Sequence, residues 1–577
     1  MRRAAIALCA CALAAPDRAA HAGGPPTPQA VRAMTDELAR AIDQLELPGI
    51  GKPYYLSYHL WDARVATAAA SFGALTSSNA VPQRSVDIDL RIGDYALDNS
   101  NFADSFEFRQ EAVLDAEDDY DAARHDLWLA TDRAYKAAGE ALDRKQAVIK
   151  EEAKDPDEAP SFSKDTPVKL SDTAPLAMPE LPRLEALAGK LSAVFRTNPD
   201  AYRGTVRVRE MRGNRYFVSS EGGSAAAAFG EVRVTVSCAT QADDGMPLHD
   251  SIAFVAPSFD QLPREADMIA QVEALSRQLS ALRKAPIVDD YAGPVVFRGT
   301  AAGRVVRALL AESLAGTPAP KGSRPGARAV GDSELAGKVG QRILPIGVSV
   351  VDDPTLARAA GQPLTGHFAF DQEGIAARRV SLVENGVFKR FLMSRTPRKG
   401  FEHSTGHGRS SSVSPVRAHP TNLILSATRG VSDRELVRRA LAAAKQQGLA
   451  YVIVVDRITA PELGDIDLAA LSDQGSVIGK PSIVKRVYPD GREELVRGAA
   501  FANVPQRALK DLLDLGNAGV PYHYLNAATG RSFDALIEPP AGVAISIVSP
   551  SLVFRDLDIK KPRGAQRKPP IAARPAP

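Results

Sequence analysis

A strict two-residue alternation over residues 85–92 constrains the fold of this chain more than any other feature of its sequence. The apolar positions of this run are Val86, Ile88, Leu90 and Ile92, and every residue between them is polar or charged. Because successive side chains of a strand point to opposite faces, the pattern predicts a half-exposed strand of an antiparallel sheet. Apolar residues at helical spacing precede it at residues 30–45. The sequence therefore predicts an α+β fold.

Changes in these patterns along the 577 residues predict several units. We expect a signal peptide at 1–22, an amino-terminal α+β domain at 28–103, a helical segment with a middle α+β domain at 104–290, a carboxyl-terminal domain at 291–559, and a disordered basic tail at 560–577. The tail is rich in proline and lacks acidic residues, a composition that does not support a packed core.

Three local predictions concern the middle of the chain. Dense charge with apolar residues at helical spacing predicts one long helix over about residues 104–154. The following stretch, 155–175, is rich in proline, serine, aspartate and lysine, which is typical of a solvated linker. The triplet Arg212-Gly213-Asn214 predicts the turn of a β-hairpin.

The first residues have the composition of a secretory signal. Arg2 and Arg3 precede an apolar stretch at residues 4–15, and small residues follow at Ala20-His21-Ala22. We therefore expect export, with a mature chain that begins near Gly23 and a periplasmic or secreted location. A lipoprotein attached through a cysteine of this segment remains an alternative. No other stretch approaches the ~20 apolar residues of a membrane span.

Charge and cysteine content exclude several classes of function. The chain has 71 lysine and arginine residues and 69 aspartate and glutamate residues, which give a net charge of +2. We therefore expect no broad basic surface for binding nucleic acid. Outside the first residues the chain has one cysteine, Cys238, which can form neither an intramolecular disulfide nor a zinc knuckle. Its place in a strand-like run predicts a small core residue.

Four segments of the carboxyl-terminal domain resemble the TldD/PmbA family, metallopeptidases first described as modulators of gyrase. They are Asp352-Asp353-Pro354-Thr355, Phe370-Asp371-Gln372-Glu373-Gly374, residues 382–389 and residues 404–409. Residues 91–95 and 98–102 are similar to the amino-terminal domain of the family, so the resemblance covers most of residues 50–555. It implies a multi-domain, TldD/PmbA-like α+β fold with mixed and antiparallel sheets and flanking helices.

The resemblance also implies a zinc site that this chain has lost. Zinc-bearing members carry His-Glu-x-x-x-His on a helix and a further cysteine near the carboxyl end. The matching positions here are Arg307, Ala308 and Glu312, and no cysteine follows them. Since an arginine remains protonated, it would repel a cation rather than bind it. We therefore expect no metal and no other cofactor, and the catalytic residues, if any, remain unknown.

A glycine-rich loop supplies the candidate binding residues. His403, His407 and Arg409 present hydrogen-bond donors between glycines that let the backbone approach a ligand. We expect them to bind a peptide. A metal site formed by the two histidines and a rigid structural turn are the alternatives for this loop.

Two functions follow from these residues and the resemblance. The first is an exported protein acting on peptides or unfolded proteins as the zinc-less subunit of a complex with a zinc-bearing TldD-like paralogue, and so inactive alone. The alternative is a stand-alone, non-catalytic module that binds peptides or proteins. In either case we expect a dimer, a homodimer or a heterodimer, with no nucleic acid and no membrane span.

Overall fold

The computed structural model describes residues 27–103, 110–115, 117–151, 159–323, 333–410, 415–459, 478–526 and 542–562. These residues form three large sheets with helices packed against them, which confirms the α+β fold class. The predicted signal peptide and residues 563–577 of the predicted tail lie outside the described residues. Within those residues, no helix is long and apolar enough to cross a membrane.

The first sheet has seven strands from the amino-terminal half of the chain. Its order is β3-β2-β1-β5-β6-β4, with β7 also paired to β6, and every pair is antiparallel except β4 with β6. The strands are β1 (Pro53–Ser71), β2 (Ala74–Ile92), β3 (Gln110–Val113), β4 (Lys169–Asp172), β5 (Arg203–Ser219), β6 (Ser224–Gln241) and β7 (Pro247–Ala256).

Four helices cover this sheet in two pairs. They are α1 (Gln29–Gln44), α2 (Tyr120–Glu151), α3 (Leu181–Ala193) and α4 (Glu265–Lys284). Helices α1 and α2 pack together, and α2 lies on β2, whereas α3 lies on β1 and β5 and α4 lies on β6 and β7. Each pair closes its own apolar cluster. Cys238 is buried in the second cluster, as predicted.

The predicted boundary between residues 103 and 104 falls within this sheet. Strand β1 pairs with β2 on one side and with β5 on the other, from Ser57 through Ser71. The two predicted units therefore share one hydrogen-bonded sheet. The long helix is also shorter than predicted, because β3 precedes it and α2 begins at Tyr120.

The predicted hairpin turn at Arg212-Gly213-Asn214 is wrong. Strand β5 continues through this triplet, and the connection to β6 follows Ser219. A Cβ atom on Gly213 would stand 2.4 Å from the carbonyl oxygen of Asp62 on β1. The glycine is therefore required for the close approach of two strands. In a sequence, such a glycine cannot be distinguished from one that forms a turn.

The carboxyl-terminal domain contains the other two large sheets. One has the order β13-β12-β9-β16-β23-β22, and the other has the order β19-β18-β17-β8-β24-β20, with β21 also paired to β24. Each contains one parallel pair, β16 with β23 and β8 with β17. The prediction of mixed as well as antiparallel sheets is therefore confirmed.

The strands of this domain are numerous and mostly short. They are β8 (Tyr291–Phe297), β9 (Val348–Asp352), β10 (Arg358–Ala359), β11 (Gln362–Pro363), β12 (Val380–Glu384), β13 (Val387–Phe388), β14 (Gly408–Arg409), β15 (Arg417–Ala418), β16 (Asn422–Ala427), β17 (Val452–Ile458), β18 (Pro481–Val487), β19 (Glu493–Val496), β20 (Ala500–Phe501), β21 (Leu512–Leu515), β22 (Val520–Asn526), β23 (Val543–Ser549) and β24 (Leu552–Lys560). Strands β10 with β11 and β14 with β15 form two small ribbons.

The described residues of this domain also form two α-helices. Helix α5 (Thr300–Val306) contacts β8 and β17 of one sheet and β22 and β23 of the other, so it lies between the two sheets. Helix α6 (Asp433–Gln446) covers the β8 and β17 side. Because α5 lies between the two sheets, its carboxyl end lies at the candidate functional site.

The predicted solvated linker at residues 155–175 is wrong where the structure describes it. Phe162 is buried, with 1% of its surface exposed, and β4 joins the first sheet. The ring of Phe162 lies between the guanidinium groups of Arg91 and Arg395, at 3.6 and 3.8 Å from its centroid. A single apolar residue among polar ones is enough to anchor the segment, because aromatic rings bind cations on both faces.

This stack joins the first sheet to the carboxyl-terminal domain. Arg91 on β2 donates to Asp98 at 3.0 Å, and Arg395 donates to Glu221 at 2.7 Å and to the Ser163 carbonyl. Both arginines are buried. The polar face of β2, predicted to be in water, is therefore covered at Arg91.

We predict that Arg395→Ala lowers the free energy of unfolding by about 3 to 5 kcal/mol, because it leaves Glu221 and the Ser163 carbonyl without their buried partner. Denaturant unfolding followed by intrinsic fluorescence measures the change. Arg438→Ala, which removes an exposed helical ion pair with Glu435, is the control and should cost about 0.5 kcal/mol or less. Equal losses in the two variants would contradict the assigned role of the stack.

Candidate functional site

The candidate site, called the cleft below, lies between the end of α5 and strand β22, where the exposed Glu312 adjoins buried side chains of both elements. After α5 the chain continues as a π-helical turn, Arg307–Ala311, and a 3-10 turn, Glu312–Leu314. In a π turn the backbone hydrogen bonds join residues five apart, so side chains five apart lie above one another. Arg307 and Glu312 have this spacing, and both reach residues of β22.

Two arginines hold a tyrosine at this site. Arg304 and Arg307 each donate to the phenolic oxygen of Tyr522, at 3.3 and 3.4 Å. Burial alone would raise the pKa of Tyr522, but the two guanidinium groups outweigh it and lower that pKa below its ordinary value. Arg307 also lies 4.0 Å over the ring of Tyr524. The helix thus presents a fixed positive charge to β22.

Glu312 stands one turn further along the same face. Its Oε1 accepts a hydrogen bond from the Asn526 amide at 3.1 Å. The side chain reaches solvent from a recessed position, where loss of hydration raises its pKa although Arg307 and Asn526 act in the opposite direction. Glu312 is therefore easier to protonate than a surface glutamate.

A neutral histidine closes the other side of the cleft. Nδ1 of His419 lies 3.4 Å from the Asn526 amide nitrogen. Loss of hydration, together with the charges of Arg409 and Arg417, lowers the pKa of His419 to about 3. The imidazole is uncharged at neutral pH, and the positive charge of this side comes from the arginines.

These residues do not fit a zinc ion. Arg307 carries a permanent positive charge where an imidazole would be required, and Ala308 offers no donor atom. Glu312 alone of the three predicted positions could bind a metal. In the described part of the chain, no group of three or more His, Cys, Asp or Glu side chains is placed to hold one. The guanidinium and amide groups of the cleft can instead bind an anion, such as a peptide carboxylate, through charge-assisted hydrogen bonds.

The three residues predicted to bind a peptide lie in three different environments. The side chain of His403 is 70% exposed, and its Nδ1 is 3.1 Å from Asp165. Arg409 donates to the Ala544 carbonyl at 2.7 Å and its charge acts on His419, so it borders the cleft. His407 has no exposed surface. The loop therefore does not present these side chains together.

His407 is held entirely by the protein. Its Nε2 lies 3.1 Å from Asp352, and its Nδ1 lies 2.9 Å from the Thr405 carbonyl. Asp352 is itself buried and accepts hydrogen bonds from Thr421. Both ring nitrogens therefore have partners inside the domain. Because His407 is enclosed and His403 is exposed, the two do not converge on a metal.

The glycines of this loop approach a buried acidic pair rather than a ligand. The Gly408 amide donates to Asp371 at 2.9 Å, and a Cβ on Gly408 would stand 2.2 Å from a carboxylate oxygen of Glu373. Gly406 approaches the Ala376 carbonyl in the same way. Gly406 and Gly408 therefore allow a close approach to the protein itself, and the predicted approach of this loop to a ligand stays a prediction.

Asp371 and Glu373 are both enclosed. Burial raises the pKa of Asp371 to about 6, although backbone amides of Ile375 and Gly408 stabilise its charge. Burial and the nearby charge of Asp371 raise the pKa of Glu373 to about 8. One oxygen of Glu373 accepts from the Arg395 amide at 2.7 Å, and the other has no partner among the described residues. Glu373 is therefore the member of the pair that holds a proton.

The sequence interpretation missed much of this site. Tyr522, Tyr524 and Asn526 alternate on one face of β22, a two-residue spacing that could have been recognised as a strand with a polar face. The sequence indicates Asp371 and Glu373 only as part of the family-like segment at residues 370–374. No sequence signal connects His419 or Arg304 with the cleft, because their proximity depends on the packing of two sheets.

Comparison with known proteins identifies the carboxyl-terminal domain. Residues 291–462 match the PmbA/TldA metallopeptidase C-terminal domain. A metalloprotease of Archaeoglobus fulgidus is 37% identical over 83 residues, which are 14% of this chain and 18% of that protein. A metalloprotease of Methanothermobacter thermautotrophicus is 41% identical over 83 residues, 14% of this chain and 17% of that protein. The chain thus spans less than a fifth of the length of these relatives.

Solved structures share the fold along most of the chain. A Thermotoga maritima protein named as a modulator of a DNA gyrase covers 92% of this chain and all of its own, with a TM-score of 0.58 and 14% identity. TldE from Thermococcus kodakarensis covers 92% of this chain and all of its own, with a TM-score of 0.55 and 14% identity. At this identity the likeness concerns the fold.

We predict that Glu373→Gln removes part of the pH dependence of stability. The pKa of Glu373 rises from 4.5 to about 8 on folding, so between these values the folded chain keeps a proton that the unfolded chain has lost. Stability is then fully present below pH 4.5 and is lost as the pH rises towards 8. An uncharged glutamine has no such loss, so the variant should gain stability relative to the native chain as the pH rises from 5 to 8.

Melting temperatures at several pH values between 5 and 8 test this expectation. The exposed Glu140→Gln is the control, and its difference from the native chain should stay constant across that range. A constant difference for Glu373→Gln as well would show that Glu373 is ionised throughout.

Proposed function

We propose that this chain is a zinc-less member of the TldD/PmbA family that binds peptides or unfolded proteins in the cleft beside α5. It belongs to that family through its domain at residues 291–462. Two relatives of this chain are metalloproteases by name. Metal chemistry is not part of the proposal, because the residues of the cleft do not fit the ion.

One observation carries the proposal: the guanidinium of Arg307 occupies the position of the first predicted zinc ligand, bound to Tyr522 together with Arg304. A positive group fixed in this way disfavours a cation and favours an anionic ligand. Peptides carry an anionic carboxylate at their carboxyl terminus. Arg409 on the far side of the cleft adds to the same preference.

We further propose that the chain works as a subunit beside a zinc-bearing relative, which would supply the hydrolytic step. In this arrangement the cleft would hold part of a polypeptide for the partner to cleave. The alternative is a stand-alone module that binds peptides or proteins without a catalytic partner. The similarity to metalloproteases favours the subunit, since binding and hydrolysis then serve one process.

We expect the purified chain to contain no stoichiometric zinc and to leave casein and short peptides intact. Elemental analysis and a fluorescent-peptide assay measure the two quantities. One equivalent of zinc, lost on chelation together with a peptidase activity, would refute the zinc-less assignment. Cleavage that appears only when a zinc-bearing relative is added would support the subunit over the stand-alone module.

The same preparation tests the cleft. A peptide with a free carboxyl terminus should bind about tenfold more tightly than its amidated form, as expected for a lost charge-assisted hydrogen bond. Arg307→Ala should abolish that difference. Arg390→Ala removes a cation outside the cleft and should preserve it. Equal binding of both peptides by the native chain would exclude carboxylate recognition while leaving the zinc result unaffected.

We also propose that the protein is exported, on the basis of its first 22 residues. The mature chain should begin near Gly23, because the small residues before it suit cleavage by a signal peptidase. Amino-terminal sequencing of protein from a periplasmic or medium fraction measures the position. Recovery of Met1 from a cytoplasmic fraction would refute export, and a lipid-modified cysteine at the amino terminus would indicate a lipoprotein.

A further inference from the structure

A small cavity adjoins the helical segment of the candidate site. Its volume is about 190 Å³, and residues 338–343 form one wall. The 3-10 turn Gln506–Asp511 forms the opposite wall, and Leu310 of the π-helical turn lies between them. This space is large enough for a small ligand group with its water molecules.

The lining of this cavity is strongly basic. Four cationic side chains belong to it, Lys338, Arg342, Arg507 and Lys510. None of the four forms an ion pair with a carboxylate in the part of the chain that the structure describes. This is a local excess of charge, because the chain as a whole has a net charge of only +2. Four cations around one small space repel one another unless an anion lies between them.

Some cations elsewhere in the same domain have carboxylate partners. Arg298 donates to Asp456 at 2.7 Å, and Lys485 lies 3.1 Å from Asp456 and 2.8 Å from Glu493. These carboxylates neutralise the two basic side chains. Their lack at the cavity distinguishes its four cations from such ion-pair networks.

A second basic cavity provides a contrast. It has a volume of about 370 Å³ and is lined by Arg379, Lys389 and Arg390. Its lining also contains the carboxylate of Glu384, and Arg379 lies 3.9 Å from Asp353. The positive charge of this cavity is thus partly neutralised by the protein.

We propose that the 190 Å³ cavity is a binding site for a multiply charged oxyanion, either a phosphate group or the carboxylates of an acidic peptide. Guanidinium groups donate paired hydrogen bonds to both kinds of oxyanion. The site does not depend on the peptide cleft, since it uses none of the residues assigned there.

Isothermal titration of the full mature chain tests the site with three probes: inorganic phosphate, pyrophosphate and a pentaglutamate peptide. We expect at least one of them to bind with a stoichiometry of one. Arg342→Ala and Arg507→Ala should each weaken that binding about tenfold or more, as expected when a charge-assisted hydrogen bond is lost.

Arg390→Ala is the matched control, because it removes the same charge from the second cavity. It should leave the affinity within about twofold of the native value. Equal weakening by Arg390→Ala and Arg342→Ala would show diffuse attraction to a basic surface and would overturn the site. Absence of binding by all three probes would also overturn it.

The probes also distinguish the two sources of the anion. Tighter binding of pyrophosphate than of pentaglutamate identifies a phosphate site, and the reverse identifies a site for acidic polypeptide. A melting-temperature measurement on each variant verifies that it is folded. The zinc and carboxylate experiments on the cleft can fail without affecting this result, because they report on other residues.

Discussion

The ring of Phe162 between two buried guanidinium groups is the interaction on which the arrangement of the molecule depends. Arg91 belongs to the first sheet and Arg395 to the carboxyl-terminal domain, so the phenyl ring contacts a charged group of each part. Each guanidinium also has an acidic partner, Asp98 for Arg91 and Glu221 for Arg395. Because a buried charge without such partners would be strongly unfavourable, all the elements that carry them have to be in place together.

The stack around Phe162 is also connected to the loop at residues 403–409, which the sequence predicts to bind a peptide. The backbone amide of Arg395 donates to Glu373, and Gly408 is pressed against the same carboxyl group. The acidic pair, the glycine loop and the interdomain stack thus form one continuous network. Most of its polar atoms have partners within the protein, which explains why His407 and the glycines of the loop contribute so little exposed surface.

The two surfaces that we propose for recognition lie on either side of the helical segment that follows α5. On one side, Arg304 and Arg307 hold Tyr522 and face a cleft suited to an anionic end group. Another stretch of the same segment borders the basic cavity that contains Gln506. Helix α5 has two sheets against it, so these surfaces are rigid and can recognise a ligand without a large rearrangement.

The sequence by itself determined the α+β class, the presence of α1, the burial of Cys238 and the poor fit of Arg307, Ala308 and Glu312 to zinc. Each of these depends on local periodicity or on the chemistry of single side chains, both of which can be read without knowing what lies nearby. The turn expected at Gly213 and the linker expected around Phe162 were wrong, because a glycine or an isolated aromatic residue takes its role from a distant partner. Only the tertiary structure decided that one sheet spans the two amino-terminal units, that His407 is enclosed, and that Tyr522, Asn526 and His419 meet beside Glu312. The contacts of Asn526 with Glu312 and His419 join residues more than a hundred positions apart, where close packing rather than local pattern selects the neighbours.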